Sequence, residues 1–361
     1  MLTRSAYLEW LTYYYPKVVH NLAASGVPSL TSDELAEIPL RWSANPVSAL
    51  TEKLAQLYCL QNTEILPCNG ASQALWLAYA ATLFPGDDVL IETPTYAPFA
   101  DSVRTLGANL IRFERLAVNG YVLDPDSVFQ KLTKRTRLVA LSSLHNPSGC
   151  SADPKAIAGI AAELAKRNGY LIVNEIYAFF DDLDVCNAMT LRSSRHIAPN
   201  IICVSSLSKA FGLGPMRIGW LSGPEHVVRR AAMAQLASTG DLPMVWAAGA
   251  IGALELLPDL ATRAKLLTGD KRERVFDWLA ARPWLSWSRP ANGLFGLITL
   301  PGKINTLELA EKAIKEHGVM IAPGEFFAAP GSFRLAWNCP TARLDSALAA
   351  LDVALNESLR V

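Results

Sequence analysis

A lysine with polar neighbours follows a short apolar run in the middle of the chain. Ser206, Ser208 and Lys209 stand in a Ser- and Gly-rich stretch, and Arg217 comes eight residues after the lysine. A lysine alone after a strand is usually a solvated loop residue. Here, a guanidinium and nearby hydroxyls can bind a phosphate, while the amine can bind an aldehyde. The group therefore predicts a site for one ligand that carries both functions.

A second candidate for phosphate binding is the glycine turn at Asn69 and Gly70, which precedes an apolar helical pattern. The first N–H groups of a helix have no partner within the helix, and its dipole favours an anion at that end. Ala71 and Ser72 open this predicted helix. A simple helix cap by Ser72 explains the same residues, so both interpretations stay open at this point.

These two segments and three others occur in an order that resembles the class I/II aminotransferases, which are fold-type I enzymes dependent on pyridoxal 5′-phosphate (PLP). The five segments are residues 69–75, 92–98, 142–149, 205–220 and 331–336. The resemblance implies that Lys209 forms the Schiff base with PLP. It also implies a phosphate-binding role for a group of residues near that lysine. They are Ala71, Ser72, Ser206, Ser208 and Arg217.

The same resemblance implies how the cofactor ring and the substrate are held. Tyr96 would stack on the pyridine ring, and Asn146 and Tyr177 would hydrogen-bond its 3′ oxygen. Arg334 would grip the α-carboxylate of a small-molecule amino acid, because arginine and carboxylate form bidentate pairs. His145, next to Asn146, is interpreted as structural.

The chain departs from the family pattern at Asn174, where the family has an aspartate that pairs with the ring nitrogen. A carboxylate keeps that nitrogen protonated, and the protonated ring is the electron sink. Asparagine gives three interpretations: a tolerated change, chemistry that needs less of this sink, or a charge supplied by Glu175 instead. The last is disfavoured because successive strand residues face opposite sides.

Two N-terminal segments, residues 9–11 and 21–27, resemble those of capreomycidine synthase-type enzymes, which eliminate water from a hydroxylated guanidino amino acid and cyclise it. This resemblance implies that Glu9 faces a cationic side chain and that Ser25 contacts the substrate. A helix charge and a turn serine are the structural alternative, and that alternative is favoured.

Short apolar runs alternate with helical patterns in the middle of the chain. The runs are residues 89–92, 138–142, 170–173, 201–205 and 218–221. Such alternation predicts an α/β fold with a mostly parallel sheet flanked by helices. With the resemblance, this is the fold-type I transferase fold. We predict a large PLP-binding domain over 39–265 and a smaller α+β domain from both chain ends, 1–38 plus 266–361.

The overall composition narrows the range of partners and compartments. The chain has 361 residues, and its 33 basic residues balance its 33 acidic ones. This balance predicts no binding to nucleic acid or to a membrane surface. The six cysteines are scattered, which disfavours disulfides and zinc, and the N-terminus lacks an apolar leader. We therefore expect a cytoplasmic protein.

The predicted function is transamination of an α-amino acid through Lys209. The alternative is a PLP-dependent lyase or cyclase of the capreomycidine synthase type. A remote alternative is a non-catalytic PLP-binding module. The resemblance also implies a homodimer, although the tyrosine that reaches the partner's phosphate in the family has no counterpart near residues 41–46.

Overall fold

The computed structural model describes residues 5–180 and 191–359, and its central element is a seven-stranded sheet. From edge to edge, the strands are β2 (Ile65–Asn69), β8 (Ile218–Ser222), β7 (Ile201–Ser206), β6 (Tyr170–Asn174), β5 (Thr136–Ser142), β3 (Asp88–Thr93) and β4 (Asn109–Glu114). β8 runs antiparallel to both neighbours, and the remaining pairs are parallel. The predicted α/β fold with a mostly parallel sheet is confirmed.

Helices cover both faces of this sheet, which explains why its inner strands contain continuous apolar runs. The helices are α1 (Ala6–Tyr14), α2 (Ser32–Ala36), α3 (Pro46–Tyr58), α4 (Gly70–Thr82), α5 (Pro98–Thr105), α6 (Pro125–Phe129), α7 (Pro154–Ala165), α8 (Glu225–Thr239), α9 (Met244–Glu255), α10 (Leu257–Thr268), α11 (Lys271–Ala280), α12 (Thr306–His317) and α13 (Thr341–Leu359). Helices α4 and α8 pack on one face, and α7 packs on the other.

Two smaller sheets involve the chain ends. One is antiparallel, in the order β12 (Ala322–Pro323), β13 (Ser332–Ala336), β10 (Phe295–Thr299) and β9 (Ser286–Trp287). In the other, β1 (His20–Asn21) pairs in parallel with β11 (Val319–Met320). The N-terminal segment thus joins the C-terminal part, while the boundaries at residues 38 and 265 stay predictions.

The N-terminal strap, which we define as residues 22–30, runs from this small unit to the edge of the large sheet. Leu22 bridges two strand segments, donating to the Met320 carbonyl and accepting from the Ala336 N–H, both at 2.8 Å. Farther along, Leu30 donates to the Gly212 carbonyl at 3.0 Å. The strap therefore crosses the turn that follows β7.

No single helix in the described part of the chain is long and apolar enough to cross a membrane. Helix α9 and the stretch Leu257–Ala280 meet the length and composition criteria only as a pair, with a bend of 67°. The five cysteines in the described ranges are free. Cys186 lies outside the described residues.

Candidate active site

Most of the predicted site residues surround one cavity of about 440 Å³ at the carboxyl ends of the parallel strands. Ser142, Asn174 and Ser206 end β5, β6 and β7, and all three line the cavity. Open α/β sheets bind ligands at this edge. The other predicted cofactor residues also line it, and these are Ala71, Ser72, Tyr96, Asn146, Tyr177, Ser208, Lys209 and Arg217.

Lys209 lies in the turn after β7, with a half-buried side chain in the cavity. Burial, followed by the charges of Arg334 and Arg217, lowers the pKa of Lys209 to about 8. The N-terminal strap packs directly on this lysine. Val27 N–H donates to the Lys209 carbonyl at 2.8 Å, and a Cβ at Gly26 would lie 2.9 Å from Lys209 Cα. The amine is therefore partly neutral near neutral pH, which is the form that attacks an aldehyde.

Anion-binding groups gather at one end of the cavity. The Arg217 guanidinium lies so close to the start of α4 that a Cβ at Gly70 would come within 2.5 Å of its Nη2. The N-cap residue of α4, Asn69, makes no side-chain capping hydrogen bond. Ser208 Oγ is buried and has no hydrogen-bond partner in the described part of the structure. A phosphate would satisfy this hydroxyl and the N–H groups of the helix.

Asn174 faces the cavity, and a hydrogen bond from the backbone two residues on fixes the orientation of its side-chain amide. Its Oδ1 accepts from Ile176 N–H at 3.1 Å, so the Nδ2 donor is the group left for a ligand. Glu175 faces elsewhere, because its carboxylate accepts from Ser193 Oγ at 2.7 Å and Ser194 N–H at 2.6 Å. Burial raises the pKa of Glu175. The interpretation in which Glu175 replaces the missing aspartate is therefore wrong.

A polar network joins residues from four distant segments beside the lysine. Asn146 Nδ2 lies 3.5 Å from the Tyr177 hydroxyl, and Asn146 Oδ1 accepts from Arg334 Nη1 at 2.6 Å. Ser25 of the N-terminal strap faces the Tyr177 hydroxyl and acts to lower the pKa of that phenol. Burial raises the pKa of Tyr177, so the phenol stays protonated at neutral pH.

Arg334 is buried, and its guanidinium stacks between two rings, 5.1 Å from the centre of Phe295 and 4.9 Å from that of Phe327. Its Nη2 donates to the Ala23 carbonyl at 2.7 Å and to the Tyr7 hydroxyl at 3.1 Å. Tyr7 also lines the cavity. No sequence motif predicted a role for Tyr7, whose only signal is helical spacing with Trp10, the other buried residue of α1.

One sequence model covers almost the whole of this architecture. Residues 44–351 match the model for "Aminotransferase class I and II". The chain belongs to the aminotransferase class I and II family. It is a PLP-dependent transferase, and the predictions of family, cofactor and enzyme class are confirmed. The residues present also fit the cofactor, since one cavity combines an amine of low pKa with an unsatisfied anion-binding end.

Several relatives within this aminotransferase family match most of the chain. Capreomycidine synthase of Streptomyces vinaceus is 27% identical over 98% of this chain and 94% of the relative. Arginine–pyruvate transaminase of Pseudomonas aeruginosa is 30% identical over 75% of this chain and 70% of the relative. Aspartate/prephenate aminotransferase of Thermus thermophilus is 27% identical over 84% and 80%, respectively.

Solved structures of aminotransferases share the fold. A PLP-dependent aminotransferase from Streptococcus suis superposes with a TM-score of 0.88 at 22% identity, covering 100% of this chain and 99% of that one. The aspartate aminotransferase of Thermus thermophilus, with maleate, gives 0.84 at 23% identity, covering 98% and 97%. The fold-type I architecture is thereby confirmed.

The structure separates the two predicted N-terminal site residues. Ser25 lines the cavity of the aminotransferase site, whereas Glu9 lies on the exposed side of α1 and is not among the lining residues. Contact between Glu9 and a substrate stays a prediction. Leu8, Leu11 and Tyr15, which belong to the same N-terminal segment as Glu9, also line the cavity.

His145 stands next to the site without entering the cavity. Its Nδ1 lies 2.7 Å from Ser148 Oγ, and its Nε2 lies 2.8 Å from the Pro94 carbonyl. Burial, and then the charge of Arg115, lowers the pKa of this imidazole well below its usual value. A neutral ring held by two loop contacts supports a structural role.

A buried ion pair supports the loop that carries His145 and Asn146. Glu92 and Arg115 are fully buried and pair at 3.0 Å. Glu92 also accepts from Ser142 N–H at 2.8 Å and from Ser142 Oγ at 2.7 Å. In turn, Ser142 Oγ accepts from Asn146 N–H at 3.2 Å. This chain of contacts fixes Asn146 relative to the ends of β3 and β5, and the sequence motifs gave no indication of it.

Proposed function

We propose that the protein transaminates an α-amino acid and that Lys209 both carries PLP and moves the proton of the reaction. The single observation that supports this best is that Lys209 shares one cavity with the anion-binding end, while Arg334 hydrogen-bonds the lining residue Asn146. Each of these features is common alone, and their combination around one cavity favours catalysis over simple cofactor storage.

The described residues divide the work of holding cofactor and substrate. Ser206, Ser208 and Arg217, with the start of α4, would bind the phosphate. Tyr96 would cover the ring, and Asn174 would meet the ring nitrogen. Asn146 and Tyr177 would meet the 3′ oxygen. When bound, PLP supplies the electron sink that lets the bond at the substrate's α-carbon break.

Lys209 would act a second time once a substrate amine has released it. Its pKa of about 8 lets Nζ accept a proton from the substrate's α-carbon and donate it again, because general bases work best with a pKa near the operating pH. Arg334 would hold the α-carboxylate and so keep the α-carbon within reach of Nζ. The buried surroundings of the guanidinium favour a tight pair.

A lyase or cyclase reaction is the second candidate, and two observations favour it. The capreomycidine synthase relative spans nearly the full length of this chain. Asn174 also offers a neutral donor where a carboxylate would strengthen the electron sink. The arginine–pyruvate transaminase relative makes arginine a substrate worth testing for either reaction.

A homodimer is the assembly that we propose. Leu40, Trp42, Met244 and Val245 are large exposed apolar side chains, and we call them the apolar patch. Met244 and Val245 precede Trp246, whose Nε1 donates to the Met216 carbonyl at 2.8 Å, so this part of the patch lies beside the turn that carries Arg217. Covering such a patch with a second copy would also close the phosphate end of the cavity. We also propose that the protein is cytoplasmic.

The experiment is a visible-spectrum screen of the holoenzyme with amino acids of each side-chain class, including arginine and hydroxyarginine, followed by product identification. A keto acid with the cofactor left as pyridoxamine phosphate supports transamination. Loss of water or ammonia with PLP regenerated supports the lyase or cyclase reaction instead. A protein that binds PLP yet responds to none of them would contradict both enzymatic proposals.

A further inference from the structure

We infer that Tyr7 binds the substrate: its hydroxyl donates a hydrogen bond to the α-carboxylate beside Arg334. The inference rests on the proposed function, which makes Arg334 the carboxylate-binding residue, and adds a residue from α1 to that site. It follows from the hydrogen bonds of the guanidinium, taken one at a time.

The hydrogens of Arg334 are already partly assigned. Nη1 gives one to Asn146 Oδ1 at 2.6 Å. Nη2 carries two hydrogens, and both have acceptors, namely the Ala23 carbonyl at 2.7 Å and the Tyr7 hydroxyl at 3.1 Å. Nε is buried and has no partner in the described part of the chain. The guanidinium thus keeps Nε–H and one Nη1 hydrogen for a ligand.

A bidentate carboxylate needs two parallel N–H groups of the fork. The side-on approach uses Nε with Nη2, and the end-on approach uses Nη1 with Nη2, so both need Nη2. The Ala23 carbonyl belongs to the backbone of the N-terminal strap, and the phenol of Tyr7 is the exchangeable acceptor. A carboxylate oxygen therefore takes the hydrogen that Tyr7 accepts now. The phenol, which is both donor and acceptor, then points its own hydrogen at the same oxygen.

The position of Tyr7 suits this role because its ring is held on several sides. It packs against Phe326 and Phe327, with ring centres 5.2 Å and 5.5 Å away. It also meets Tyr96 edge to face at 6.0 Å and 85°. Only 3% of Tyr7 is exposed. A hydroxyl fixed in this way loses little freedom when it bonds a ligand.

The test is the variant Tyr7→Phe, which keeps the ring and its packing and removes the hydroxyl. Holoenzyme is titrated in the visible range with L-arginine and L-leucine, and then with agmatine and 3-methylbutylamine, the matching amines without a carboxylate. We expect the variant to bind both amino acids at least about tenfold more weakly than wild type does. A loss of this size corresponds to one hydrogen bond to a charged group. Binding of the two amines and the spectrum of the resting holoenzyme should stay unchanged.

Tyr14→Phe is the matched control, because Tyr14 lies on the same helix, packs on Trp10 at 5.2 Å and does not line the cavity. It should leave all four titrations as in wild type. Equal weakening of amines and amino acids in Tyr7→Phe, or no weakening at all, would overturn the inference. A wild type that responds to no α-amino acid would contradict the proposed function itself.

Discussion

The acidity of Lys209 is the residue-scale property with the clearest consequence for cofactor uptake. Because burial and two arginine charges lower its pKa to about 8, the neutral amine becomes dominant as the pH rises through that value. Below it, the amine is protonated and cannot attack the aldehyde. We therefore predict that the rate of PLP uptake by the apoenzyme rises with pH and levels off above about 8. Stopped-flow absorbance measures this rate.

Arg334 provides the matched comparison for that measurement. Arg334→Gln removes the larger of the two charge effects on Lys209, so its midpoint should move to higher pH. Arg334→Lys keeps the positive charge and should leave the midpoint close to that of wild type. A midpoint near 10 in the wild type would contradict the electrostatic account of this lysine.

Asn174 gives the second prediction at this scale. Its oxygen is engaged by the Ile176 N–H, so an N–H group meets the ring nitrogen, and a ring nitrogen that accepts a hydrogen bond is unprotonated. Asn174→Asp should keep that nitrogen protonated to higher pH. We expect nitrogen-15 NMR of ring-labelled cofactor to show this, together with a faster first half-reaction.

Glu175→Gln is the control, because this neighbour faces Ser193 and Ser194, away from the ring. It should leave the ring-nitrogen titration unchanged. Identical nitrogen titrations in wild type and Asn174→Asp would show that residue 174 does not govern the protonation of the ring.

Residues inside the short motifs could be predicted from the sequence, whereas Tyr7 and Gly26 of the N-terminal part could not. Lys209 and Asn146 follow apolar strands inside short motifs, so type and spacing were informative. Tyr7 and Gly26 reach the same cavity because the N-terminal part crosses the site, where β1 pairs with β11 and residues 22–30 pack on the lysine turn. No sequence pattern around residues 7 or 26 predicts that the two strands pair.

At the scale of elements, the N-terminal strap controls the shape of the lysine turn. A Cβ at Gly26 would lie 2.9 Å from both Lys209 Cα and its carbonyl oxygen, which is too close for either backbone to stay in place. Gly26→Ala should therefore displace the strap from the lysine. We predict faster loss of PLP on dialysis and a lower melting temperature of the holoenzyme.

Gly159→Ala is a control with the same chemical change. Gly159 lies within α7, and a Cβ there would meet nothing within 4 Å. Alanine favours a helix over glycine by roughly 0.5–1 kcal/mol, so this variant should be slightly more stable and keep its cofactor. Normal PLP retention in Gly26→Ala would contradict this account, because the position of the strap would then not affect cofactor binding.

The strands show what apolar patterning can and cannot reveal. The inner strands β5, β6, β7 and β8 are buried except at Arg137 and were predicted within one or two residues of their ends. The edge strands β2 and β4 were missed. β2 contains Pro67, which lacks a ladder donor, and β4 mixes exposed polar residues with apolar ones. An edge strand needs only one paired side, so its pattern is weaker.

For the whole molecule, the apolar patch makes the proposed assembly testable. The double variant Trp42→Asp, Val245→Asp would place two charges in the proposed dimer interface. An unpaired buried charge is strongly unfavourable. The double variant should be a monomer by light scattering at a concentration where wild type is a dimer. It should also bind PLP more weakly, since part of the patch lies beside the Arg217 turn.

Val118→Asp is the matched surface change, because Val118 is 86% exposed and follows the opposite edge strand β4. It should leave the dimer and the cofactor unaffected. A wild-type protein that is monomeric, binds PLP and turns over would contradict the proposed assembly.

The most direct test of the central claim is the visible absorbance of purified protein reconstituted with PLP, compared with that of Lys209→Ala. We predict that wild type shows the absorbance band of a lysine-bound cofactor, that borohydride fixes the cofactor to the peptide containing Lys209, and that Lys209→Ala shows neither result. Wild type without the band, or reduction that labels another lysine, would contradict the assignment of Lys209.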